Sequence, residues 1–247
     1  MPNHILYQSP SHTNILLEDF GTGGLAVQAN QHLIVHDGEG MILDPGGHKI
    51  YGKVLGATTA ALARGKLRYL FLSHQDPDIV ASANGWLITT DADAYISELW
   101  VRFVPHFGLD HLVAGRLKPI PDEGMILPLG GVPLTILPAH FLHACGNFHV
   151  YDPVSKILYS GDLGASLGQP YVYVEDFADH VQYMVGFHRR YMVSARALRP
   201  WVRMVRSLDI ETIAPQHGAV FKGRAMVEAF LSWAEQLECG LDLMQDI

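Results

Sequence analysis

The sequence predicts an α/β sandwich, two packed β-sheets with helices outside them. Three observations predict it. Short apolar, strand-like runs closed by turn residues recur along the chain. Strands are followed by helices in both halves. No Ser-, Pro- or charge-rich stretch divides the 247 residues, so residues 1–247 are expected to form a single domain.

In order, residues 15–20 and 33–37 read as strands. The turn Asp37-Gly-Glu-Gly40 leads into a third at 41–44, closed by Asp44-Pro-Gly-Gly47. Residues 54–64 are Ala-rich and helical, stopped by Gly65. Residues 67–72 are apolar but for Arg68, and read as a strand buried on both faces. A helix is expected over 79–89, with Asp76 able to cap it and Pro77 in its first turn, and another over 94–103. Strands follow at 132–137, 147–151 and 156–159. Helical spacing then covers 177–192 and 195–208, with Pro200 as a break. A last buried strand at 210–214 precedes a terminal helix over 225–239.

Composition narrows the function. With 49% hydrophobic residues the chain can bury a sizeable core. A formal charge of −8 argues against a broad nucleic-acid or anionic-membrane surface. Two cysteines give no disulfide framework and suit a reducing cytoplasm. No run reaches the ~18 apolar residues of a membrane span, and the N-terminus lacks the pattern of a signal peptide.

Six side chains fall where apolar strands end: His74, Asp76, Asp78, His143, Asp162 and His217. His74-x-Asp76-x-Asp78 follows the 67–72 strand, and in an extended loop alternate side chains point one way. A blander reading gives Asp76 to the helix cap and Asp78 to the helix dipole. The other three decide against it, because each lies just past a strand beside a glycine or a turn. Three imidazoles and three carboxylates can hold two metal ions.

These residues carry a family resemblance. The pattern resembles the metallo-β-lactamase superfamily, with its His-x-His-x-Asp-His motif followed by His, Asp and His on later loops. Within it, the carboxylate at the second position is similar to the flavodiiron proteins. Leu142-His143, Ser160-Gly161-Asp162 and Pro215-Gln216-His217-Gly218 match later turns of that pattern. The resemblance implies a metallo-β-lactamase-like αββα sandwich. His74, Asp76 and His143 would hold one metal, Asp78 and His217 the other, with Asp162 as the bridge. Two features depart from the pattern. Asp76 is shorter than the family's Glu, and Ile79 stands where the family has an extra histidine, leaving the second metal open and the pocket dry. His140 competes with His143 and is read as lying beside the site or as structural; Cys145 is read first as a buried small residue and second as a thiol beside the site, and His188, on a helix, as a weak candidate for reaching it. His4, His12, His32, His36, His106 and His111 are read as packing or surface residues.

Three carboxylates make the donor set hard and anionic, which favours two iron ions, with zinc or manganese as alternatives. No flavodoxin domain or rubredoxin-type Cys pair is present, so no built-in electron donor is expected. Gly21-Thr-Gly-Gly24 reads as a plain turn, not a phosphate loop. The resemblance is then to the stand-alone oxygen-binding di-iron proteins of this branch, regarded as sensors. O2 or another diatomic would be the ligand, a separate redox or signalling protein the partner, and a cytoplasmic homodimer the assembly. The alternatives are an O2 or NO reductase fed by a separate flavoprotein, and a metal-dependent hydrolase of phosphodiesters or other esters.

Overall fold

Seven strands join in chain order into one mixed sheet, β1 His4–Gln8, β2 His12–Leu16, β3 His32–His36, β4 Glu39–Leu43, β5 Lys66–Phe71, β6 Asp93–Ser97 and β7 Leu117–Ile120. The first four pair antiparallel and the last three add in parallel. The parallel connections carry helices: α1 Tyr51–Leu62 between β4 and β5, and α2 Pro77–Val80 with α3 Ala83–Thr89 between β5 and β6. A short helix, α4 Glu98–Val101, follows β6. The computed structural model describes residues 3–21 and 26–244, so Thr22–Gly24 of the predicted Gly-rich turn lie outside the described residues. The chain divides into two compact units, residues 1–136 and 137–247. The first contains this sheet, and the core beneath its helices includes Leu33, Ile42, Leu70, Leu72, Ile79 and Trp86.

The second sheet is six-stranded, in the order β13-β12-β11-β10-β9-β8. Its strands are β8 Met125–Leu129, β9 Val132–Pro138, β10 Phe148–Asp152, β11 Ile157–Tyr159, β12 Thr212–Ala214 and β13 Phe221–Lys222. Three helices, α5 Phe177–Tyr191, α6 Ala195–Val205 and α7 Arg224–Gln236, belong to the second unit. There Leu198, Trp201, Val202, Phe221 and Phe230 share a core. Asp176 caps α5 by accepting from the Asp179 amide, and Ser194 caps α6 by accepting from the Arg196 amide. The α/β architecture of two mixed sheets with helices is as expected.

Several elements differ from expectation, each for a local reason. Residues 94–97 are strand, not helix. Ala94 and Ile96 are buried while Tyr95 turns the other way, its ring edge-on to Tyr69 at 5.5 Å. Residues 94–103 read as helical, but a central parallel position decides the conformation of the first four. The helix expected over 79–89 is two helices, because Ser82 donates its hydroxyl to the Gly46 carbonyl at the break. Pro200 lies inside α6 without ending it. Its face is exposed, as is Arg196 one turn earlier, so water can take the carbonyl that loses its donor. The 15–20 strand begins earlier, at His12, and ends at Leu16. β1, β7, β8 and β13 are not expected from the sequence: β7 and β8 each contain a proline, which argues against a strand, and β13 is two residues long.

Candidate metal centre

In the first unit, the buried end of β5 delivers His74. Asp44, just after the parallel neighbour β4, holds that end on two atoms. Its amide donates to the Phe71 carbonyl (2.9 Å), and its Oδ1 accepts from the Ser73 amide (2.8 Å). Ser73 Oγ then lies 2.9 Å from His74 Nδ1. A ring nitrogen held in this way fixes the rotation of the imidazole and leaves Nε2 as the ligand atom. His74 Nε2 faces Asp76 Oδ2 at 3.6 Å, with His74 1% exposed. This gap exceeds a hydrogen bond and suits two donors sharing an ion.

Asp76 occupies the N-cap position of α2, yet its side chain makes no cap hydrogen bond. Its Oδ1 instead accepts from Gln75 Nε2 (3.0 Å). The capping role allowed by the sequence is therefore absent. Asp78 lies in the first turn of α2. Ile79 is fully buried among the apolar residues of its unit.

In the second unit, three loops supply one ligand candidate each. His143 follows Phe141, which has a positive φ of 66°. Its loop is tied across its base, where the Ala139 amide donates to the Asn147 carbonyl (2.9 Å) and Asn147 Nδ2 donates to the Leu142 carbonyl. Asp162 follows β11, and His217 follows β12. The Gln216 amide donates to the Gly161 carbonyl (2.7 Å), which fastens these two loops together. Gly218, at φ +83°, packs against Ser166, so closely that a Cβ there would collide with it.

Asp162 is the hub of this unit. Its Oδ2 faces His143 Nε2 at 3.7 Å, and its Oδ1 faces His217 Nε2 at 3.5 Å. One carboxylate thus presents each oxygen to a different imidazole. His143 and Asp162 are 15% and 6% exposed, so the group is sheltered but reachable. His74 with Asp76 in the first unit, and His143 with Asp162 in the second, are donor types able to hold a metal ion.

The surrounding residues divide by role. His188 lies inside the second unit on α5. Its Nδ1 donates to the Met184 carbonyl (2.7 Å) and its Nε2 accepts from the Gly164 amide (2.9 Å), two residues past Asp162. Burial pushes its pKa down to about 4, so the ring is neutral and its tautomer is set by these two bonds. His140 packs edge-on against Phe148 at 5.1 Å, which is a packing role. Cys145 is exposed. Two aromatic residues not singled out by the sequence border His143. Tyr191 meets its ring edge-on at 5.3 Å and stacks on Phe187 at 4.6 Å. Their i, i+4 spacing on a helix was the available signal. Asp44 and Ser73 also escaped notice, since turn aspartates and serines are common.

The ODP family of β-lactamase-like proteins matches residues 27–218. The chain belongs to that family. All six ligand candidates fall inside the matched range. Solved structures agree. A chemotaxis sensor ODP described as a peroxy diiron species is 40% identical, with a TM-score of 0.87, over 98% of this chain and 98% of that one. An apo-state chemotaxis sensor ODP from T. denticola is 41% identical, with a TM-score of 0.85, over 98% and 97% of the two chains. Rubredoxin oxygen:oxidoreductase from Desulfovibrio gigas is 16% identical, with a TM-score of 0.76, over 94% of this chain and 62% of that one. That last likeness is one of fold alone. A comparison with curated proteins returned no match. Among the described residues, no helix is long and apolar enough to cross a membrane.

Proposed function

We propose that this chain binds O2 at a non-haem di-iron centre and acts as an oxygen sensor. The observation that carries the reading is Asp162, whose two oxygens face two different imidazole Nε2 atoms. His74, Asp76 and His143 are assigned to one iron, Asp78 and His217 to the other, and Asp162 to both. The donor set fits iron. Three neutral imidazoles and three carboxylates leave a net charge of about +1 on two ferrous ions, and His with carboxylate is a ligand class iron accepts. Support also comes from the ODP sensors, which are 40% and 41% identical over nearly the whole chain.

Two ferrous ions held there supply the electrons and open positions that O2 requires. The chain's own residues do the rest. Ser73 and Asp44 fix the face of His74, and His188 holds the backbone beside Asp162. Ile79, buried and apolar, cannot ligate and would leave the second iron open to a small ligand. Phe187 and Tyr191 shelter the ring of His143. Under this reading the 247 residues work as one metallo-β-lactamase-like domain, in the cytoplasm, as a homodimer that signals to a separate protein.

An oxygen electrode separates this reading from its rivals. The iron-loaded protein should take up about one O2 per chain and then stop, with or without a reduced flavoprotein. Sustained O2 consumption in the presence of the flavoprotein would make it a reductase. Turnover of a chromogenic phosphodiester, indifferent to O2, would make it a hydrolase.

A further inference from the structure

Histidines cluster a second time in the first unit, on the antiparallel strands β2 and β3. His12 and His36 are direct cross-strand partners, so their side chains leave the same face of the sheet. Their Nδ1 atoms lie 3.2 Å apart. Two nitrogens bound to one tetrahedral ion at the zinc–imidazole distance of ~2.0–2.1 Å would sit roughly 3.3 Å apart. The strand pair therefore already holds the bite of a chelate.

A second contact selects the ligand atom. Asp37 Oδ2 lies 3.4 Å from His36 Nε2. A carboxylate there favours the proton on Nε2 and turns the Nδ1 lone pair toward His12. Carboxylate, imidazole and metal in line are the usual arrangement behind a bound transition ion. His12 is buried at the back, with Tyr7 edge-on to its ring at 5.9 Å. The His36 side chain is 14% exposed, which gives an ion a way in from solvent.

We propose that His12 and His36 form a second metal site, a cross-strand chelate for a divalent transition ion of the zinc class, with water completing the coordination. Imidazole donors without carboxylate in direct contact suit zinc, nickel or copper over iron. Within the first unit, His36 pairs with Glu39 at the start of β4, whereas Asp44 and Ser73, beside His74, lie past the far ends of β4 and β5.

The test uses the full chain after iron reconstitution. Zinc is added, excess is removed, and both metals are counted for the wild type and for His36→Gln. The wild type should retain one zinc per chain more than the variant, and the variant should bind that zinc at least tenfold more weakly, with iron content equal in the two. Counting the difference between proteins keeps the result readable even if the principal site takes up no iron. Equal zinc in the two proteins would overturn the proposal. Should the variant fail to fold, 15N NMR of the wild-type imidazoles decides. At saturating zinc both Nδ1 signals should move to ligand positions, whereas a proton remaining on either Nδ1 would mean that the pair is only a hydrogen bond.

Discussion

Each of the two units carries three ligand candidates, and each holds them in a different way. The first offers His74, Asp76 and Asp78 from one five-residue stretch after one strand. The second offers His143, Asp162 and His217 from three loops that are far apart in sequence and fastened by backbone hydrogen bonds such as Gln216 to Gly161. One half is a local motif and the other is a product of the fold. The first should therefore fail through single side chains, and the second through anything that loosens its loops.

The largest expected effect is at the hub. Asp162→Ala removes the carboxylate that faces both His143 and His217. Iron retained after desalting should fall from two per chain to well under one, by elemental analysis. Retention of two irons would show that Asp162 is not a bridge. Next is the local half. Ser73→Ala deletes the partner of His74 Nδ1. Loss of a hydrogen bond behind a metal-bound imidazole weakens metal affinity roughly 10- to 100-fold, which a competition titration with a chelator would read. An unchanged affinity would mean that strand packing alone orients His74.

The loops of the second unit offer a sharper contrast. His188→Leu should leave the Gly164 amide buried without its acceptor, at a cost of about 1–3 kcal/mol in folding stability. The urea midpoint measures it, and iron binding should weaken alongside. The same residue predicts a pH dependence. His188 is held near pKa 4 by burial, and His180 likewise, against 6.5 when exposed. Between those values the unfolded chain binds more protons, so stability is full above about pH 6.5 and falls as the pH drops toward 4. In His188→Leu the fall should be shallower, and an equal slope in both proteins would remove His188 from the account. The smallest effect is expected from Tyr191→Ala. Loss of one edge-to-face contact with His143 is worth about 0.5–1.5 kcal/mol, so iron affinity should weaken by no more than about tenfold. A larger loss would assign Tyr191 a more direct part.

The same contrast explains what could be read from sequence. The local half is visible because His74-x-Asp76-x-Asp78 directly follows an apolar run, and strand ends carry functional side chains. His143, Asp162 and His217 were identified because each follows a strand whose burial was also evident. Their mutual contacts could not be read, since hydrogen bonds between distant loops leave no spacing in the sequence. Asp44 and Ser73 show the limit clearly. Both look like turn residues, and only the parallel pairing of β4 with β5 sets Asp44 beside the Ser73 amide. In the fold, the long buried runs and capped helices were legible. Residues 94–97 depart from the helix expected over 94–103 because a place between two parallel strands overrides local preference.

The most direct test of the central claim is anaerobic reconstitution of the full chain with ferrous iron, followed by optical spectra on adding O2. The account predicts two irons per chain and a visible absorption band that persists for minutes or longer. No iron uptake, or two irons whose spectrum bleaches at once to a featureless state, would contradict an oxygen-holding centre.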